Sequence, residues 1–220
     1  MKSTTKKGVI AILVIFLVLL VDQVSKIWVK TNMALYDMIH ITNWFKIYFV
    51  ENNGMAFGIE AIGKLFLSIF RIIAVGAIIV YLRRIVKENY KNGFIVCIAL
   101  ILAGASGNII DSVFYGAFFE ASYQGHIASA VAYGDGYATL LHGKVVDMLY
   151  FPLIEGTFPK WIPMVGGEDF LFFRFIFNIA DSAITVGVAL LLIFYRKTLS
   201  YSLMSKRDKE KLALEKEIQS

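Results

Sequence analysis

Four long apolar runs divide the chain, at residues 8–29, 65–82, 93–115 and 170–195. Each comes close to the roughly 20 residues that a helix needs to cross a bilayer, so the pattern predicts four transmembrane helices. Between the first two runs, residues 44–50 read Trp-Phe-Lys-Ile-Tyr-Phe-Val. That aromatic and β-branched stretch predicts a strand, and Asn52-Asn53-Gly54 predicts a turn after it. Residues 116–169 are mixed and hold all three prolines, Pro152, Pro159 and Pro163. Short strands and loops resting on the membrane surface are expected there, with Trp and Tyr as interfacial anchors. Lys6-Lys7 before the first run allow a cleaved signal peptide, but no small-x-small cleavage site follows it and Asp22-Gln23 come directly after.

Composition agrees with a membrane class. Hydrophobic residues make up 58% of the 220, with a mean hydropathy of +0.66, above the roughly 45–50% of soluble domains. One membrane-embedded domain over residues 1–205 is expected, followed by a charged cytoplasmic tail over 206–220. The chain has 22 Lys and Arg against 17 Asp and Glu, and the excess does not point to nucleic acid. Fourteen of the 22 fall in three places: Lys2, Lys6 and Lys7; Arg83, Arg84, Lys87 and Lys91; and seven from Arg196 to Lys216. In a four-helix topology all three lie on one side. Basic residues accumulate on the cytoplasmic side, so both termini are expected there. The lone Cys97 excludes an internal disulfide and a Cys-based metal cluster, and reads as a small buried apolar residue.

Five segments put Asp and Asn where lipid is expected. They are Val21-Asp22-Gln23-Val24-Ser25-Lys26, Glu51-Asn52-Asn53-Gly54-Met55-Ala56-Phe57, Gly107-Asn108-Ile109-Ile110-Asp111, Val145-Val146-Asp147 and Phe177-Asn178-Ile179-Ala180-Asp181. An ionisable group at membrane depth costs roughly 2.5–3.5 kcal/mol on insertion scales, which calls for a compensating role. In the expected topology Asp22, Asn108, Asp111, Asn178 and Asp181 all lie toward the extracytoplasmic boundary, the last two about two turns into the fourth helix. Asn108/Asp111 and Asn178/Asp181 are each three apart, so each pair shares a helix face. Two carboxylates in one pocket cannot easily both ionise, and such a pair supplies a general base and a general acid. Spacing alone leaves a second reading open, in which Asp147 or Asp181 pairs with a basic residue or caps a helix. Asp22 and Lys26, four apart, read first as a structural ion pair at the membrane surface. Gly54, Gly104, Gly107 and Gly116 read first as packing or turn positions. His126 and His142 show no metal-ligand spacing, and Ser106 and Ser182 have no adjacent base. A proton- or cation-coupled transporter is the alternative function. It calls for a polar path toward the cytoplasm, and the inner halves of the runs offer almost no polar groups.

In order along the chain, the motifs are Asp22-Gln23-x-x-Lys26; Asn52-x-Gly54-x-Ala56-Phe57; Gly107-Asn108-x-x-Asp111; Val145-x-Asp147; and Phe177-Asn178-x-Ala180-Asp181-Ser182. This set resembles bacterial lipoprotein signal peptidase (signal peptidase II), an intramembrane aspartyl protease family, over about residues 9–195. The resemblance implies four transmembrane helices with a small extracytoplasmic β-cradle, in an otherwise all-α membrane protein with an extended outer segment between helices three and four. It implies Asp147 and Asp181 as the catalytic pair, with Asn108, Asp111 and Asn178 supporting the site and Asn52 and Asp22 near it. It implies a lipid-modified prolipoprotein as substrate, cut just before its diacylglyceryl-modified cysteine. No metal or other cofactor and no nucleic acid are implied. A monomer among membrane phospholipids is expected, in the bacterial inner membrane with its site on the extracytoplasmic face.

Three positions depart from the family pattern. Ser112 stands where the family usually has Arg after the aspartate, and Glu51 stands where a basic or polar residue often precedes the second motif. The intervals from Asp111 to Asp147 and from Asp147 to Asp181 are long for the family. Arg174, Asn178 and Asp181 follow i, i+4, i+7, so Arg174 is expected on the same helix face, supplying the charge missing at Ser112. Arg71, within the second run, is the second candidate.

Overall fold

The computed structural model describes residues 3–53 and 63–218. Gly54, Ala56 and Phe57 of the second motif lie outside the described residues. The first helix, α1, runs Ser3–Asn32, α2 runs Lys64–Lys87 and α3 runs Asn92–Ile110. Helix α1 shows large apolar side chains outward along its length, among them Ile12, Phe16, Leu20 and Val24, and α2 does the same with Phe66, Phe70, Ile73 and Val80. Such surfaces are at home in lipid and not in water. Three of the described helices are long and apolar enough to cross a membrane, the third extending from Asn92 to Phe118. The last apolar helix, α5 (Ile179–Phe194), qualifies only together with α6 (Arg196–Leu203), which bends away from it by 90°. The tail forms a further helix, α7, Lys206–Ile218.

Helix α3 is the central element and packs most extensively on α5 and α1. Lipid supplies no hydrophobic drive between helices, so close approach depends on small residues. A Cβ at Gly104 would strike the backbone of Ala180, and one at Gly107 would strike Asp22 and Ala180. These two glycines let α1 and the start of α5 close onto one stretch of α3. One apolar core joins Ala11, Leu82, Ile85, Phe94, Ile98, Leu102 and Leu191, with Cys97 buried in it. A second joins Val29, Met33, Phe49, Tyr115, Val146 and Met148. Along α1, Asp22 and Lys26 fall between the residues of the two cores, so a polar layer is enclosed by apolar packing on both sides.

Among the described residues two antiparallel sheets accompany the helices, so the fold is mostly helical and not all-α. The first has strand order β1-β2-β3-β6, with β1 at Met38–His40, β2 at Lys46–Asn52, β3 at Val145–Tyr150 and β6 at Ile176–Phe177. Ile47 faces Leu149, whereas Val50 faces Asp147, so β2 carries one extra residue between them. Such a bulge re-aims the side chains beyond it. A hairpin of β4 (Ile154–Thr157) and β5 (Asp169–Phe172) forms the second sheet. The strand expected at 44–50 is therefore present, as are short strands and loops in 116–169.

Two expectations are corrected. The fourth apolar run is not helical from residue 170, because its first part forms β5 and β6, and the helix begins at Ile179. Buried strands and buried helices have the same apolar signature over short runs. The third run is not one regular helix either. Its α-helix ends at Ile110, continues as a π-turn over Asp111–Tyr115 and closes with a single helical turn, α4, Gly116–Phe118. Inserted π-turns of this kind are frequent at functional sites.

Candidate active site

The strand that pairs with the Asp147 strand is joined to the Asp181 helix by one residue. Strand β6 pairs with the end of β3, Phe177 facing Leu149, and the chain then enters α5 through Asn178. Asn178 is the N-cap of α5, and its side-chain oxygen accepts the backbone N–H of Asp181 at 2.9 Å. Asp181 Oδ2 in return accepts the backbone N–H of Asn178 at 3.3 Å, completing a capping box. The Asn178 amide nitrogen points the other way, donating to Asp147 Oδ1 at 2.7 Å. It also lies 3.1 Å from Asn108 Oδ1 and 3.2 Å from the Val146 carbonyl.

Asp147 and Asp181 accept hydrogen bonds from neutral groups. Asp147 takes Asn178 on Oδ1 and the Asn52 amide on Oδ2, at 3.3 Å. Asp181 takes the Asn108 amide on Oδ1 at 2.8 Å and the Asn178 backbone on Oδ2. Asp147 is buried, and burial foremost, then the charge of Asp181, pushes its pKa up to about 7. The hydrogen bonds from Asn52 and Asn178 and the charge of Lys26 pull the other way without prevailing. A carboxyl group of this kind remains partly protonated at neutral pH, where an ordinary carboxyl is fully ionised.

Asp22 and Asp111 are held differently. Lys26 reaches Asp22 Oδ2, Asp111 Oδ2 and Asn108 Oδ1, each at 2.9 Å, so its three ammonium protons meet three acceptors. All three charged side chains are fully buried. The ion pair expected at the membrane surface is thus an internal cluster of two carboxylates and one cation. The Gln23 amide bridges Asp22 and Asp111 at 3.0 Å to each, and Tyr115 donates to the Gln23 oxygen at 3.2 Å. Asp22 Oδ1 accepts the Ala180 N–H at 2.9 Å, and Asp111 Oδ2 accepts the Val146 N–H at 3.3 Å. These bonds tie the residues preceding Asp147 and Asp181 to one buried cation. The cluster also fixes Asn108, since its oxygen must face Lys26 and its amide then faces Asp181.

Asn52, Asn108, Asp111, Asn178, Asp22, Asp147 and Asp181 are therefore brought together. Arg174 is not. It lies exposed between β5 and β6, outside any helix, so the helix face expected to carry it does not exist. Arg71 on α2 does lie near the site, its guanidinium 3.5 Å from Ser112 Oγ and within electrostatic reach of Asp181 and Asp147. Sequence reasoning missed Gln23 and Tyr115 as parts of the network. Gln23 stood inside the first motif, while Tyr115 carried no signal beyond its aromatic character.

Asp181 opens onto a groove of about 420 Å³ walled by Phe173, Phe175 and Phe177 and by Ser182, Thr185 and Val186 of α5. The groove runs from the carboxylate along one side of that helix, toward Val186. A pair of carboxyl groups, one with a raised pKa, beside an apolar groove suits hydrolysis of an amide whose flanking segment is apolar.

Comparison with known proteins points the same way. Residues 14–197 match the family model for signal peptidase (SPase) II. The lipoprotein signal peptidase of Porphyromonas gingivalis is 52% identical over 206 residues, covering 93% of this chain and 91% of the relative. That of Amoebophilus asiaticus is 37% identical over 83% of this chain and 76% of the relative. Among solved structures, a bacterial membrane enzyme determined by the in meso method at 2.3 Å resolution aligns with a TM-score of 0.58 and 27% identity. That alignment covers 89% of this chain and 93% of the other. A second such enzyme, at 1.9 Å resolution, gives a TM-score of 0.55 over 83% and 90% of the two chains. None of these matches supports the transporter reading.

Proposed function

The chain belongs to the signal peptidase II family, and from that premise we propose that Asp147 and Asp181 are the catalytic pair of a lipoprotein signal peptidase. Asp147, neutral up to about pH 7, is the acid, and Asp181 is the base. Asp181 takes a proton from a water molecule as its oxygen attacks the carbonyl before the lipidated cysteine, while Asp147 protonates the carbonyl oxygen. The C–N bond then breaks, and the proton held by Asp181 passes to the leaving amine, giving a carboxylic acid and a free cysteine amine. Reprotonation of Asp147 in the collapse step restores the starting state. The observation that carries this reading is that each of the two carboxylates is held by neutral amides around Asn178, whereas Asp22 and Asp111 are both bound to the one cation Lys26. Asn52, Asn108 and Asn178 orient the pair, and Asp22 and Asp111 form the buried support beneath it.

The substrate is a prolipoprotein carrying a diacylglyceryl group. The groove beside Asp181 is largely apolar, which suits an acyl-anchored substrate whose scissile bond is held near the carboxylates by its anchor. Arg71, reaching Ser112, supplies the positive charge that the family usually places at that position. The enzyme acts as a monomer in the bacterial inner membrane, surrounded by phospholipid. Four spans, with α5 as the fourth, put both termini in the cytoplasm and the site on the outer face, in keeping with 14 of 22 basic residues on one side. Labelling from outside of a cysteine introduced at position 135 tests that topology, and protection of the site from the reagent contradicts it. The function is tested by incubating the purified protein with a precursor peptide, with and without the diacylglyceryl group. One cut before the modified cysteine is expected, with the unlipidated peptide at least tenfold slower, on the order of the effect of lost positioning.

A further inference from the structure

A second buried charge cluster lies behind the site, on the other face of the β2–β3 pair. Lys30 at the end of α1 holds Glu51 Oε1 at 2.6 Å, and both side chains are almost wholly buried. Ser122 donates to the same oxygen at 2.9 Å and accepts from Lys30 at 2.9 Å. Among the described residues Glu51 Oε2 has no hydrogen-bond partner, but it stands 3.2 Å from Lys144 Nζ. Lys30 also lies over the Tyr137 ring, 5.1 Å from its centroid, and the Tyr137 hydroxyl accepts the Lys144 backbone N–H at 2.6 Å. The cluster therefore joins three pieces of chain: the end of α1, the end of β2, and the excursion over 119–144, whose last residue, Lys144, immediately precedes β3. Burying such charges is costly unless the geometry is good, and apolar replacements of such pairs are often as stable.

Its place in the sheet gives it a role. Glu51 faces Val146, and Asn52 faces Val145. Neighbouring residues on a strand point to opposite faces, so Glu51 is turned toward the α1 side and Asn52 toward Asp147. Asn52 Nδ2 reaches Asp147 Oδ2 at 3.3 Å only in the register set beyond the extra residue of β2. A slip of one residue would exchange the two faces. Lys144, which clamps Glu51, immediately precedes Val145, so the clamp grips both strands at the point where that register is set.

Building on the assignment of the Asp147–Asp181 pair, we propose that Glu51, held between Lys30 and Lys144, is a positioning residue that locks the β2–β3 register and so keeps Asn52 on Asp147. The acidic residue that departs from the family pattern at position 51 is the centre of a lock built from partners elsewhere in this chain. It acts through Asn52, and it has no contact with the reacting atoms.

The pH dependence separates this role from a merely structural one. Asp147 is acted on by Asp181 from α5, by Lys26 from α1, by Arg71 from α2, and by the amides of Asn52 and Asn178. The Asn52 bond favours the charged form of Asp147. Losing it raises the pH at which activity falls on the alkaline side. Simple removal of the Glu51 charge would move that limb down, if at all, because a nearby negative charge opposes ionisation.

The test compares Glu51→Gln, Asn52→Ala, the two combined, and Asp147→Asn, all as full-length protein assayed on a lipidated precursor peptide. Lys30→Met/Glu51→Leu serves as the folded control if Glu51→Gln does not fold, because it replaces the buried pair by packing. Glu51→Gln, or the double replacement, is expected to lower kcat about tenfold to a hundredfold, the scale of a displaced catalytic group, with KM within about twofold. The alkaline limb should rise as it does in Asn52→Ala, and the combined variant should lose no more than Asn52→Ala alone. Wild-type kcat, a limb that falls or stays, or additive losses in the combined variant overturn the inference. Normal turnover by Asp147→Asn overturns instead the assignment of the pair on which it rests.

Discussion

Asn178 Nδ2 lies 2.7 Å from Asp147 Oδ1, so the residue that starts helix α5 also holds the carboxyl group on strand β3. Fold and chemistry meet in that one amide. Asn178→Ala loses an N-cap, typically about 1 kcal/mol and up to about 2, together with the bond to Asp147. Asn178→Asp keeps a capping oxygen but cannot donate, and it adds a third carboxylate. Melting temperature should therefore fall more in the alanine variant at low pH, and turnover should fall in both. A fully active Asn178→Asp enzyme would contradict the role given to the amide.

Protonation of Asp147 sets a pH dependence with a definite sign. Its pKa in the fold is about 7, against about 4 when unfolded, so the folded protein holds the proton more tightly. The resulting stability is fully present below about pH 4 and is lost as pH rises to about 7. Asn at position 147 does not titrate. The melting temperature of Asp147→Asn relative to wild type should rise across that window and level off above it. Wild-type turnover should decline above about pH 7 as the acid is lost. A constant difference in melting temperature from pH 4 to 8 refutes the assignment of a raised pKa.

Lys26 carries the buried charge balance beneath the site. Lys26→Met leaves Asp22 and Asp111 without their cation, and breaking a buried pair from one side costs about 3–5 kcal/mol. Folded yield should collapse. Adding Asp22→Asn and Asp111→Asn to Lys26→Met removes the unpaired charges and should restore part of the yield. If Lys26→Met alone folds as well as wild type, the cluster is not the support described.

The two arginines separate cleanly. Arg71→Gln removes a charge that acts on both Asp147 and Asp181 and should lower turnover about tenfold or more, as expected for a preorganised cation at a reacting group. Arg174 is exposed, and Arg174→Gln should change turnover by less than about twofold, within the range of an ordinary surface substitution. Turnover assays on both variants decide the matter, and a larger loss from Arg174 would restore the helix-face argument that the structure removes.

Much of this site was legible in the sequence because intramembrane carboxylates are costly and therefore informative. Asp22, Asn108, Asp111, Asn178 and Asp181 were found from that cost and from their spacing, and Asp147 from its apolar flanks. The start of the fourth helix was not legible, because Phe170 to Phe177 is as apolar as the helix that follows, and only pairing with β4 and β3 makes it strand. The error at Arg174 follows directly, since an i, i+4, i+7 pattern has meaning only inside a helix. The helix-cap reading of Asp181 is present in the structure, and it leaves the acid–base proposal open because the carboxylate that completes the capping box also faces the groove. The π-turn at Asp111 and the bulge in β2 left no trace in hydropathy, because each shifts register by one residue without changing which residues are apolar.

The central claim is most directly tested by the turnover of a diacylglyceryl-modified precursor peptide by Asp147→Asn and Asp181→Asn, each checked for folding by its melting transition. Removing either member of an acid–base pair that works as a unit should reduce kcat by at least about a thousandfold, with both variants folded and KM little changed. Turnover within about tenfold of wild type by either folded variant is a loss of only about 1.4 kcal/mol, too small for a reacting group, and would contradict the assignment.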